Sequence, residues 1–138
     1  MKRFELIEHT ADIGIIAYGK TLEELFENAA YGLFSIITDI GTVEPKDKYE
    51  LSVSAMDEEE LLISWLNELI YFWEVKRILV SKFKVSILSS SHLEGMLYGE
   101  NFNSKLHKIE HLVKAVTYYD FKLESYEKGW KVQVILDV

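Results

Sequence analysis

Two aspartates near opposite ends of the chain have the setting that points most directly to chemistry. Asp12 lies in Glu8-His9-Thr10-Ala11-Asp12-Ile13-Gly14, and Asp137 lies in Leu136-Asp137-Val138. Apolar, strand-like runs flank both acids, and a half-buried carboxylate needs hydrogen-bond donors, a cation or a raised pKa. If the terminal strands pair, the two carboxylates meet. With the Val138 carbonyl they would suit a hard cation such as Ca²⁺ or Mg²⁺ rather than zinc.

The sequence pattern is also compatible with a plainer interpretation of the two acids. Asp12 could make a local turn hydrogen bond, and Asp137 could be a solvated end. Spacing alone does not separate the two interpretations, because no calcium-loop motif of the EF-hand type is present.

Three further side chains are candidates for contacting a partner or a phosphate group: His9, His107 and Lys114. His9 lies at a corner between two predicted strands, where a histidine more often orients a neighbour by hydrogen bonding. His107 lies in the polar stretch 101–111, which we interpret as a long hairpin loop that is either a solvated connection or a partner-facing lobe. Lys114 is predicted on the polar side of a strand. Its side chain could equally lie along the protein surface without binding a phosphate or a partner.

Composition and missing motifs exclude several classes of protein. The 138 residues, 49% of them hydrophobic, fit one domain spanning 1–138. A formal charge of −8 disfavours avid, non-specific binding to nucleic acid. The absence of cysteine excludes disulfides and thiol nucleophiles, and neither a nucleophile elbow nor a phosphate-binding glycine loop occurs. With no signal-like or membrane-length apolar run, the sequence predicts a cytoplasmic protein without a membrane partner.

Hydrophobic periodicity predicts an α+β fold with a mainly antiparallel sheet and two principal helices. The first helix runs from Leu22 to Ile37 after a Thr21/Glu24 capping box, and the second begins at Asp57, with Glu60 at the same offset. The predicted strands are 2–8, 12–18, 49–55, 83–87, 93–97 with a break at Gly95, 113–123 and 130–136.

Several separated stretches together resemble the archease family over essentially the whole chain. The amino-terminal signature comprises residues 8–14, Gly19, 21–26 and Ala29-Ala30, and the second-helix motif is 62–70. The carboxyl-terminal half contributes Gly99-Glu100, His107, 114–118, Trp130 and 135–138.

The resemblance implies a fold, a function and a set of site residues. The fold would be an α+β sandwich with an Hsp33-like element. The function would be that of a non-catalytic protein cofactor of the GTP-dependent tRNA-splicing RNA ligase of the RtcB type. It would promote guanylylation of the ligase histidine and multiple turnover, and could broaden nucleotide use, with tRNA reached only through the ligase. The implied metal, Ca²⁺ before Mg²⁺ or Mn²⁺, maps onto Asp12, Asp137 and the Val138 carbonyl, and a functional lysine maps onto Lys114.

Two alternative functions belong to other classes. A chaperone-like binding module would use the sheet or the 101–111 lobe as its contact surface. A metal-dependent phosphoester hydrolase would need a third ligand and a base, for which Glu8 and His9 are the nearest residues in sequence.

Overall fold

The computed structural model describes residues 2–9 and 12–138, without the side chains of Glu8, His9 and Leu88. Within these ranges the chain forms two α-helices, seven strands and a short 3-10 helix at Ile40–Thr42. The helices are α1 (Leu22–Ile37) and α2 (Glu58–Glu74), and none in the described ranges is long and apolar enough to cross a membrane. The strands are β1 (Phe4–His9), β2 (Asp12–Gly19), β3 (Asp47–Ser54), β4 (Ile78–Ser89), β5 (His92–Asn101), β6 (Ala115–Tyr126) and β7 (Gly129–Asp137).

The strands form two antiparallel sheets with the helices packed against both. The four-stranded sheet has the order β1-β2-β7-β6, and the three-stranded sheet has the order β3-β5-β4. Helix α1 contacts β2 of the first sheet and β4 of the second, while α2 contacts β6 as well as β3 and β4. Because each helix touches both sheets, most of its circumference is buried. The predicted α+β class with antiparallel sheets is confirmed.

Both predicted capping boxes set the starts of the helices. The Thr21 hydroxyl accepts a hydrogen bond from the Glu24 backbone N–H at 3.1 Å, and the Asp57 carboxylate accepts one from the Glu60 N–H at 2.9 Å. Each side chain satisfies a backbone donor that has no partner within the helix. The sequence therefore specifies both helix starts locally.

Two predictions about the second half of the chain are wrong. Strand β5 runs through Gly95 without a break, because the missing side chain makes room for the Trp65 ring; an added Cβ would lie 2.7 Å from it. The segment after β5 is not a hairpin loop, since β5 and β6 belong to different sheets. It crosses between the sheets and is fixed to the end of α1, where Thr38 pairs with Ile109 and the Glu110 N–H donates to the Ile37 carbonyl at 2.8 Å.

Glu27 links α1 to the three-stranded sheet and gives a first prediction. Its carboxylate accepts a hydrogen bond from the Val85 backbone N–H at 2.8 Å, yet burial raises the pKa of the Glu27 carboxyl. Its stabilising contribution is therefore complete below the ordinary value of 4.5 and falls as pH rises through the raised value. Glu27→Gln, which keeps the acceptor, should match or exceed wild-type stability at pH 7 in chemical denaturation, with the gain vanishing near pH 4. A clear loss at pH 7 would contradict this. Glu68→Gln, at an exposed acid of α2, is the control.

Candidate metal centre at one end of the four-stranded sheet

The register of β2 against β7 brings the two predicted acids side by side. Ile13 pairs with Leu136, and the next step of the same antiparallel register sets Asp12 opposite Asp137. Directly opposed residues of antiparallel strands share a face of the sheet, with Cβ atoms about 4.5–5.5 Å apart. Asp12 and Asp137 therefore meet at one end of the four-stranded sheet.

The two acids lie on the face of the sheet that points away from the helices. Their neighbours Ile13 and Leu136 face the core, and side chains alternate along a strand. Gly14 shares the outer face, two residues after Asp12. A Cβ on Gly14 would lie 2.4 Å from Ile7 and 3.0 Å from Ile135, so glycine is needed for these isoleucines to close over the sheet. The acids thus border an apolar surface on one side and solvent on the other.

Residues of the two outer strands line up with Asp12 and Asp137 and form a row across this end of the sheet. His9 pairs with Asp12 on one side, and Ala115 pairs with Asp137 on the other. The Lys114 backbone N–H donates to the Asp137 carbonyl at 2.8 Å, while the Lys114 side chain is exposed. Lys114 lies just before β6 rather than within a strand. The side chain of His9 lies outside the described residues, as do Thr10 and Ala11, so its predicted contact stays a prediction.

The donor set fits a hard divalent cation held in an open site. Like charges placed directly opposite each other destabilise a sheet unless something compensates them. Within the described ranges no lysine or arginine side chain lies within 4 Å of either carboxylate. Two carboxylates and the Val138 carbonyl supply oxygen ligands only, which suits calcium or magnesium and leaves further positions to water or a partner's phosphate. The same ranges contain no group of three or more histidine, aspartate or glutamate residues that could hold a metal by themselves.

His107 does not join this row, which corrects the prediction that it offers a contact to a partner. Its side chain is fully buried, and its Nδ1 atom accepts a hydrogen bond from the Asn103 backbone N–H at 3.0 Å. The ring proton therefore resides on Nε2, which lies 2.8 Å from the Glu100 carboxylate. Glu100 also accepts from the Glu44 backbone N–H at 3.0 Å. Since both ring nitrogens are used inside the protein, His107 fixes the crossing segment rather than binding a phosphate.

Comparisons with known proteins agree with this architecture along the whole chain. Residues 4–138 match the profile of the Archease protein family. The chain belongs to the archease family. It is 43% identical to a protein archease of Saccharolobus islandicus, with both chains fully covered. It is 40% identical to that of Methanosarcina acetivorans, covering 99% of this chain and 97% of the relative.

Two solved structures are similar in fold. The solution structure of Methanobacterium thermoautotrophicum protein 1598 superimposes over the full length of both chains with a TM-score of 0.85 and 36% identity. A Thermotoga maritima crystal structure, described as an archease and possible chaperone, has a TM-score of 0.69 at 23% identity. It covers 96% of this chain and 94% of its own. The second likeness concerns the fold alone.

Asn67 is a positioning residue of this archease fold that the sequence pattern did not reveal. It lies on α2, and its side-chain oxygen accepts a hydrogen bond from the Val116 backbone N–H at 3.0 Å. Val116 is paired with Leu136 beside Asp137, so the helix holds the outer edge of β6 next to the acid pair. The available signal was an asparagine within a helix, where this residue type is disfavoured without a compensating contact.

Replacing Asn67 should loosen the start of β6. Asn67→Ala leaves the Val116 N–H without its acceptor, and we expect a loss of about 1–2 kcal/mol in the free energy of unfolding. Asn67→Asp keeps an oxygen in place and should lose less. Hydrogen exchange at Val116 measures the same contact directly. Unchanged exchange in Asn67→Ala would show that this contact does not hold the strand.

Proposed function

We propose that this archease-family chain is a non-catalytic activator of the GTP-dependent tRNA-splicing RNA ligase. The acid pair Asp12 and Asp137, on the outer face of the four-stranded sheet, is the part that acts on the ligase. The observation that carries the proposal is the juxtaposition of Asp12 and Asp137 by the β2–β7 register, with Lys114 attached to the same row. Family membership supports the choice of partner.

Each residue of the row has a defined role in this proposal. Asp12, Asp137 and the Val138 carbonyl hold a divalent cation, Ca²⁺ before Mg²⁺ or Mn²⁺, because all three are hard oxygen ligands. When bound, the cation would supply positive charge against a phosphate group. The Lys114 side chain is exposed at the same end of the sheet and would add a second positive charge there. The outer-face position leaves the row accessible to a large partner.

Family membership favours an assisting role over independent hydrolysis. A metal-dependent hydrolase needs a further ligand and a base beside the acid pair. Of the two nearest candidates in sequence, His9 pairs with Asp12 by register, and the side chains of both His9 and Glu8 lie outside the described residues. An activator needs no base of its own, since the ligase contributes the nucleophilic histidine and the nucleotide site. The reactive groups then belong to the partner, and this chain positions charge.

The experiment is ligase guanylylation with labelled GTP under multiple-turnover conditions, with and without this chain. We expect the chain to raise the guanylylated fraction and the number of turnovers. If the folded chain raises neither guanylylation nor turnover, the proposal is wrong. Phosphoester turnover by the chain alone, abolished by a chelator, would point to the hydrolase. Equal protection of unrelated aggregating proteins, without any effect on guanylylation, would point to the chaperone-like module.

A further inference from the structure

A second feature lies at the opposite end of the four-stranded sheet from the acid pair. Lys2, Tyr18, Tyr126 and Lys128 line a cavity of about 400 Å³, which we call the tyrosine–lysine cleft. Tyr18 is near the end of β2, and Tyr126 ends β6 beside the turn that leads into Gly129. Tyr18 shares the outer face with Asp12 and lies six residues further along β2, so the two ends are roughly 20 Å apart.

Contacts within the sheet fix the two tyrosine rings. The Tyr18 hydroxyl donates a hydrogen bond to the Glu5 carboxylate at 2.5 Å, which raises the pKa of Tyr18 to about 12. The Tyr18 and Tyr126 rings meet edge to face, with centroids 6.5 Å apart and planes at 66°. The Lys131 ammonium lies 5.8 Å from the Tyr126 ring centroid. The rings are therefore held in place before any ligand arrives.

Lysines outnumber acids around these rings, although the chain as a whole carries a charge of −8. Lys2 and Lys128 line the cleft, and Lys122 and Lys131 line a smaller adjoining cavity of about 150 Å³ that shares Tyr18. Three acids lie among these four lysines: Glu127 stands between Tyr126 and Lys128 in the chain, and the other two form ion pairs. Glu5 pairs with Lys2 at 3.6 Å, and Glu124 pairs with Lys131 at 3.4 Å.

We propose that the tyrosine–lysine cleft binds single-stranded RNA directly. Fixed aromatic rings on a sheet face, rimmed by lysines, match the two features every RNA strand presents: flat bases that stack and a phosphate backbone that attracts cations. An acidic peptide would satisfy the lysines but leave the ring faces unused. The inference goes beyond ligase activation, in which RNA is reached only through the ligase.

The test is fluorescence anisotropy of a labelled single-stranded RNA of about eight nucleotides, a length within the usual site size of such surfaces, without ligase. Wild-type protein should bind weakly but saturably, with log affinity falling by about 0.7 per contacted phosphate as log salt concentration rises. Tyr126→Ala and Lys128→Glu should each weaken binding at least about fivefold. The control is Lys82→Glu, whose lysine lies 5.3 Å from the Tyr98 ring on the other sheet. It should bind like wild type.

Three outcomes would overturn the proposal. One is equal loss of binding in Lys128→Glu and Lys82→Glu, which would reduce the effect to net charge. Another is equal binding of duplex RNA, whose bases are not available for stacking. The third is competition by a polyglutamate peptide as effective as competition by unlabelled RNA. Because the ligase is absent, none of these outcomes bears on guanylylation, and the two proposals fail separately.

Discussion

Asp137→Asn is expected to abolish most of the stimulation of ligase guanylylation while leaving the chain folded. The substitution keeps the size of the side chain and removes one of two carboxylates that face each other at the start of β2 and the end of β7. The loss should be at least the roughly 10- to 100-fold that removal of an outer-sphere partner costs a metal site. Asp12→Asn should have the same effect. The double variant should be little worse than either single one, because both act on one shared site.

The apo stability of these variants separates a metal site from a structural role. Opposed carboxylates repel each other without a cation, so Asp137→Asn should be as stable as wild type or more stable in the presence of a chelator. The matched control is Glu124→Gln, an outer-face acid on β6 paired with Lys131. It should stimulate the ligase normally. Full stimulation by both aspartate variants would remove the acid pair from the mechanism.

The second large effect is expected at the buried pair of His107 and Glu100. His107→Ala removes a hydrogen-bond donor from the Glu100 carboxylate, whose side chain is only 5% exposed, and leaves the Asn103 N–H without its acceptor. Because the Glu44 N–H at 3.0 Å and the Lys46 ammonium at 3.5 Å still face the carboxylate, we expect a loss of about 2–3 kcal/mol in the free energy of unfolding. Denaturant unfolding measures the loss. His92→Ala is the matched control, because His92 also faces a glutamate, at 3.7 Å, but on the surface, and should cost less than about 1 kcal/mol. Similar losses for both histidines would contradict the assignment.

Glu100→Gln adds a pH dependence to the same pair. The Glu44 N–H and then the His107 ring hold the pKa of the Glu100 carboxyl below its ordinary value of 4.5. The ionised form is favoured in the folded state, so its contribution is complete above pH 4.5 and is lost as pH falls through the lowered value. The stability difference between wild type and Glu100→Gln should therefore be constant near neutrality and shrink in acid. A difference that grows in acid would show that another group dominates.

The sequence predicted those parts of the fold whose cause is local. The spacing of Leu25, Phe26, Leu33 and Phe34 specified the buried face of α1, and the caps at Thr21 and Asp57 specified where the helices begin. The break expected at Gly95 was wrong because glycine weakens a strand by itself, whereas here the Trp65 ring from a distant helix occupies the vacant space. The prediction of a hairpin loop at 101–111 was wrong for a similar reason. Which strands share a sheet depends on how both helices pack, and β5 and β6 lie in different sheets.

The candidate site, too, was predictable only where its cause is local. The unusual setting of Asp12 and Asp137 was visible in the sequence, but their meeting depends on a register that only the folded sheet specifies. Asn67 escaped notice because its partner is a backbone N–H 49 residues away. His107 was misinterpreted because a histidine in a polar stretch looks accessible, and nothing local reveals that Glu100 and Asn103 enclose its ring.

If Asp12 and Asp137 form one cation site, calorimetric titration of Ca²⁺ into the metal-free chain will detect it. We expect saturable binding of one ion per chain, lost in the Asp12→Asn/Asp137→Asn double variant and retained in Glu124→Gln. Binding of Ca²⁺ to the double variant with wild-type affinity, or no binding to the wild-type chain, would contradict it.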